Sequence, residues 1–191
     1  MASTTPLYGG AITTVIPGGF LDASLVREVP DTQEVYVNSR QAGEESTFGD
    51  GLGLNESVIV DLLQQVDARD DRAALDVHIE EIASLNQADS LHVQQHETLG
   101  PHTQVCVCVE DALKWGKRSE KETVVVCTGL LRLPDVQTDV VCSVNVPVTA
   151  EQPEELAQLQ RGELPARVLA AFALVKRMVT EFTVVDKSLF A

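Results

Sequence analysis

Asp31 and Glu34, three residues apart in the segment VPDTQEVYVN (Val29–Asn38), combine acidic chemistry with a fixed backbone. Pro30 presets φ for a turn, and Asp31 and Thr32 are residue types that hydrogen-bond their own backbone. Glu34-Val35-Tyr36-Val37 then reads as a short strand. Carboxylates held this way can serve as acid and base, or can meet a cationic surface. An ordinary polar turn ahead of a strand carries the same residues, and the residues alone leave these readings open.

Other constellations point to less. Acid–base or nucleophilic catalysis needs a nucleophile with its base, or two groups with separated pKa values. The chain has no GxSxG, no HExxH and no Cys-His signature. His92 and His96 on a strand would share a face about 13 Å apart, too far for one metal ion, and His102 is read with them as a surface histidine. His78 and Glu81 are a helical i,i+3 pair suited to a local hydrogen bond. Gly49, Gly51 and Gly53 lie in a mobile acidic loop (Gly43–Gly53) that lacks the GK[ST] of a phosphate loop. Cys106, Cys108, Cys127 and Cys142 fall in valine-rich runs and read as small buried hydrophobes in a reducing compartment. No metal or cofactor is expected.

The charge is the distinctive global feature. Of a net −15, most resides in residues 1–100, which hold 17 acidic residues against four arginines and no lysine. A face built from that half repels nucleic acid and anionic lipid, and attracts a basic protein surface. Lys114, Lys117, Arg118 and Lys121, beside Trp115, form the one basic cluster and read as a solvated hairpin tip. No apolar run approaches the 18 residues of a membrane span, and MASTTPLYGGA lacks the basic and apolar regions of a signal peptide. Nucleus and cytosol fit best.

The elements that must position the carboxylates follow from periodicity. Strands are predicted at Ala11–Ile16, Glu34–Asn38, Gln104–Leu113, Thr123–Leu133 and Thr138–Val146, joined by connections too short for crossover helices. Helices are predicted at Glu56–Val66, N-capped by Asn55, and at about Asp71–Ser84. Thr149–Glu163 reads as a polar linker. Another helix starts near Pro165 and runs to Phe182, burying Leu169, Phe172, Val175, Met178 and Val179. The result is an α/β single-domain sandwich with a largely antiparallel sheet flanked by helices.

VPDTQEVYVN, preceded by LYGGA (Leu7–Ala11), resembles the signature of the Ran guanine nucleotide release factors, the Mog family. The resemblance continues through LLRLPDVQTDVV (Leu130–Val141), NVPVT (Asn145–Thr149), LPAR (Leu164–Arg167) and VVDKSLF (Val184–Phe190). It implies a six-stranded sheet flanked by helices, similar to the photosystem PsbP fold. It also implies a non-enzymatic regulator that binds the Ran GTPase, preferentially its GTP form, and loosens the bound nucleotide during nuclear import. The positions matching the Ran-binding surface are Asp31 and Glu34, with Pro30, Thr32 and Gln33 around them; Arg27 and Glu28 extend the same turn. Stable complexes are expected to favour nucleotide-free Ran or to need a second Ran-binding protein. The competing reading is an acidic adaptor in nuclear transport or membrane-protein trafficking that binds without changing nucleotide affinity. As exposed turn carboxylates, Asp31 and Glu34 are expected to matter to stability by no more than about 0.5 kcal/mol unless they cap something.

Overall fold

The computed structural model describes residues 3–113 and 121–190. The chain opens with β1 (Ser3–Leu7), β2 (Ile12–Ile16), β3 (Phe20–Asp22) and β4 (Gln33–Asn38), followed by the one-turn α1 (Glu45–Phe48) and β5 (Ser57–Gln64). Helix α2 (Asp71–Leu85) leads into the meander β6 (Leu91–Gly100), β7 (Thr103–Leu113), β8 (Lys121–Leu133) and β9 (Thr138–Val148). Helices α3 (Pro153–Gln160) and α4 (Ala166–Thr180) precede a short β10 (Thr183–Val184).

Seven strands form one antiparallel sheet in the order β3-β4-β5-β9-β8-β7-β6, and β1-β2-β10 form a separate three-stranded sheet. The antiparallel sandwich is as expected, but the count exceeds the six strands expected of the main sheet. Helix α4 packs on one face, where Val168, Ala171, Phe172, Val175 and Met178 meet Val58, Val60, Val105, Val107 and Val125. Leu169, assigned to this stripe by its spacing, is half exposed; Val168 and Ala171 take the buried positions. Helix α2 covers the other face through Ala74, Leu75 and Ile79, against Cys106, Cys108, Leu130 and Val141. All four cysteines are buried in strands, and burial pushes the Cys142 thiol up to about 12.

The close seating of α4 requires Gly129 on β8. A Cβ there would stand 2.7 Å from Val179 Cγ1 and 2.9 Å from Val175 Cγ1. Gly129→Ala is therefore expected to cost about 1–3 kcal/mol by forcing the helix off the sheet. A urea midpoint lowered with unchanged m-value would show it.

Four expectations from the sequence need correction. The helix expected over 56–66 is strand β5 over Ser57–Gln64: Val58-Ile59-Val60 is β-branched, and β5 sits inside the sheet with apolar residues on both faces. Two covered faces remove the strand alternation and leave spacing that imitates a helix. Asn55 caps nothing; its Oδ1 accepts from Arg167 Nη1 at 2.6 Å, and the buried Glu56 accepts from the same nitrogen at 2.9 Å. The stretch read as linker contains α3, whose start carries Pro153 with Glu154 and Glu155 in its first turn, as the helix dipole favours.

The Gly43–Gly53 loop is tied down where a mobile loop was expected. Arg40 stacks between the rings of Phe20 and Phe48, 5.3 and 4.2 Å from their centroids. It also donates to Gly18 O and to both oxygens of Asp50, and Leu52 behind it is buried. The last correction concerns the histidines. A bulge between Val93 and Gln95 sets His92 opposite Val109 and His96 opposite Cys106, so the two lie on opposite faces of β6. Of the basic cluster, Lys114, Lys117 and Arg118 lie outside the described residues, as does Trp115.

Candidate functional site

The acidic turn is built by the backbone ahead of β4. Gln33 N–H donates to Pro30 O at 2.9 Å and closes the turn, while Leu62 N–H donates to Thr32 O at 2.9 Å and carries the ladder out to it. Pro30, Asp31 and Thr32 are exposed, as are Arg27 and Glu28 just before them. The carboxylates of Asp31 and Glu28 have no hydrogen bond or ion pair among the described residues. Both face solvent and are available to an incoming cation.

Gln33 and Glu34 turn inward. Gln33 is half-buried, and its side chain favours the charged form of Asp61. Glu34, also half-buried, accepts the backbone N–H of Tyr8. Tyr8 stands in the left-handed region (φ 49°), and its single phenolic O–H is shared between Val60 O at 2.8 Å and Thr32 O at 3.0 Å. Glu34 and Tyr8 thus clamp the Leu7–Ala11 turn onto the acidic turn. Asp31 and Glu34 do not share one exposed surface: one faces solvent and the other holds the platform. Among the described residues Asp31 caps nothing, whereas Glu34 caps the Tyr8 N–H, the case in which a turn carboxylate is not expendable, because its removal orphans that N–H. Glu34→Ala is expected to cost about 1–2 kcal/mol and Asp31→Ala less than about 0.5 kcal/mol, read from denaturant midpoints.

Burial sets the electrostatics of the inner pair. Burial raises the Glu34 pKa, the Asp22 charge adds to it, and the Tyr8 N–H opposes it. Burial also raises Asp61, with the Glu81 charge adding and the Gln33 bond and His78 opposing. Tyr36 is pushed up to about 12 by burial and then by Glu34 and Asp22. Among the described residues, no group of three or more His, Cys, Asp or Glu side chains is arranged to hold a metal ion.

Two neighbours were missed from the sequence. Leu25 and Val26 are 72% and 69% exposed on the segment leading into Arg27. An apolar pair inside the polar stretch DASLVREVPD, outside any strand or helix period, was the signal available. The second is a buried ionic network that braces the same end of the sheet. Asp139 is fully buried and accepts from Arg132 Nε at 2.9 Å and from Val66 N–H at 3.1 Å. His78 Nε2 lies 2.9 Å from Asp139 Oδ2, the oxygen that also accepts from Val66, so His78 on α2 pairs with β9 and not with Glu81. Arg132 continues to Val66 O at 2.6 Å and to Asp71 at 3.4 Å, and Asp71 meets His102 at 3.2 Å. Burial works against the charged form of Asp139, but the bonds from His78, Val66 N–H and Arg132 outweigh it and hold its pKa below the usual carboxylate value.

Comparison with known proteins fits this geometry. Residues 5–147 match the family model described as Ran-interacting Mog1 protein. The chain is 51% identical to the nuclear import protein MOG1 of Saccharomyces cerevisiae over 97% of its own length and 83% of that protein. It is 29% identical to the Ran guanine nucleotide release factor of Homo sapiens, covering 97% of this chain and 95% of that one. The crystal structure of the Saccharomyces cerevisiae Ran-binding protein Mog1p superposes with a TM-score of 0.90 at 49% identity, covering 100% of this chain and 99% of that one. The family model over residues 5–147, the 51% identity and the shared fold agree: the chain belongs to the Mog1 family.

Proposed function

We propose that this protein binds the small GTPase Ran, preferentially in its GTP form, and promotes release of the bound nucleotide in support of nuclear protein import, acting in nucleus and cytoplasm. The supporting observation is Asp31: an exposed, unpaired carboxylate on a turn fixed by Pro30, Gln33, Glu34 and Tyr8, in a chain of the Mog1 family. Arg27, Glu28, Pro30 and Thr32 frame it, and Gln33 and Glu34 hold it in place.

A small GTPase grips phosphate through backbone N–H groups, a lysine and Mg²⁺. A rigid carboxylate that pairs with a basic side chain of Ran, and so displaces a loop or lysine from the nucleotide, weakens that grip without chemical turnover in this protein. Linkage makes the effect reciprocal. If docking lowers nucleotide affinity tenfold, about 1.4 kcal/mol, nucleotide lowers the affinity of docking equally. Nucleotide-free Ran is then the tightest partner, the preference for GTP holds among the loaded forms, and a stable complex with loaded Ran needs a second Ran-binding protein.

The test loads Ran with a fluorescent GTP analogue and follows release after adding this protein. Acceleration that saturates with concentration, together with competition by excess GTP, is the expected result. Binding without any change in off-rate would instead support an acidic adaptor.

A further inference from the structure

The acidic turn is one part of a larger rim. At the end of the sheet where β4 begins, β5 ends opposite the start of β9, and β8 ends beside them. The Leu7–Ala11 turn is clamped to the acidic turn on one side. On the other, Ala11 O accepts the N–H groups of Val185 and Asp186 at 2.8 and 3.0 Å, fastening the C-terminal segment. Between that segment and the β8–β9 turn lies a cavity of about 400 Å³. Its walls are chiefly apolar: Leu133, Pro134 and Val136 from the turn, Val184 and Phe190 from the C-terminal segment.

Charges ring the cavity. Asp135 and Lys187 line it and have no ion pair or hydrogen bond among the described residues, whereas the lining His102 is already engaged by Asp71. Asp186 stands exposed beside Lys187, so Glu28, Asp31, Asp135 and Asp186 outnumber Arg27 and Lys187 along this rim. An apolar recess set in an acidic rim fits an apolar side chain flanked by basic residues. Fully desolvated anchors of that kind, ringed by polar contacts, dominate protein–protein affinity.

We propose that this cavity is a second anchor point for the partner that meets Asp31: an apolar side chain of Ran, flanked by lysine or arginine, seats between the β8–β9 turn and the C-terminal segment. The inference rests on the Ran-binding reading above and adds a contact remote in sequence from the acidic turn. The two anchors act differently. Asp31 steers encounter and governs the association rate and its salt dependence, while the recess holds the docked partner and governs dissociation.

The test uses the full chain with isotope-labelled methyl groups and purified Ran stripped of nucleotide. The methyl signals of Leu133, Val136 and Val184 are expected to shift on adding Ran, together with the Asp31 amide. Val136→Trp, which fills the recess, is expected to raise Kd at least tenfold through faster dissociation, with the association rate nearly unchanged and the melting temperature retained. Cavity methyls that stay unmoved while the Asp31 amide shifts, or a folded Val136→Trp variant that binds like wild type, overturn the second anchor and leave the Ran-binding reading standing. Failure of the wild-type chain to bind Ran in any nucleotide state overturns both.

Discussion

Replacing Asp139 with alanine is expected to destabilise the protein by about 3–5 kcal/mol, a large share of the roughly 5–15 kcal/mol that holds a domain together. The reason is the number of groups it satisfies. Arg132 is buried beside it and would keep only Asp71 as a counter-charge, the Val66 N–H would lose its acceptor, and His78 would lose its partner at Nε2. Breaking one side of such a network is costly even where the intact network is only break-even against an apolar substitute.

The same carboxylate gives a signature in pH. The folded-state pKa of Asp139 lies below its unfolded value of about 3.9. Its stabilisation is therefore complete above that value and is lost as pH falls through the folded pKa. Asp50, held by its bonds to Arg40 against its burial, contributes in the same direction. Glu34 and Asp61 are raised, so their contribution is greatest below the unfolded carboxylate pKa and declines as pH rises through the folded one. Urea melts across pH 2–7 are expected to show a steep acid limb in the wild type and a flatter one in Asp139→Ala. An Asp139→Ala variant that keeps wild-type stability at pH 7 would remove the network from the account.

Reversing the charge of Asp31 is expected to have the largest effect on function. Asp31→Lys places a cation where the partner is expected to bring its own, and like charges so juxtaposed cost about 2–4 kcal/mol, or about 30-fold to 1,000-fold in affinity, read chiefly in the association rate. Stability should move by less than about 0.5 kcal/mol, because Asp31 bonds to nothing in the described fold. Loss of binding without loss of fold separates this residue from Glu34, whose substitution is expected to lower stability through Tyr8.

The meander of β7, β8 and β9 was legible in the sequence because its valine-rich runs were bounded by short turns. Helices α2 and α4 were legible because each has one buried stripe. Strand β5 was not, since both of its faces are covered and its apolar residues lose their period of two. The bulge in β6 was invisible because one extra residue leaves no trace in composition, yet it reversed the relation of His92 to His96. Asp31 was placed on an exposed turn by Pro30 and the turn chemistry around it. Whether Glu34 caps anything was not legible, because its acceptor role depends on Tyr8, a residue 26 positions away that only the folded chain brings near. His78 and Arg132 meeting on Asp139 is a fact of the same kind.

Fluorescent-nucleotide release from Ran, measured with wild type and Asp31→Lys at matched concentrations and with melting temperatures recorded for both, tests the central claim most directly. The account predicts accelerated release by the wild type and release at the spontaneous rate with an equally stable Asp31→Lys variant. Equal acceleration by the two proteins would contradict it, because the acidic turn would then lie outside the surface that acts on Ran.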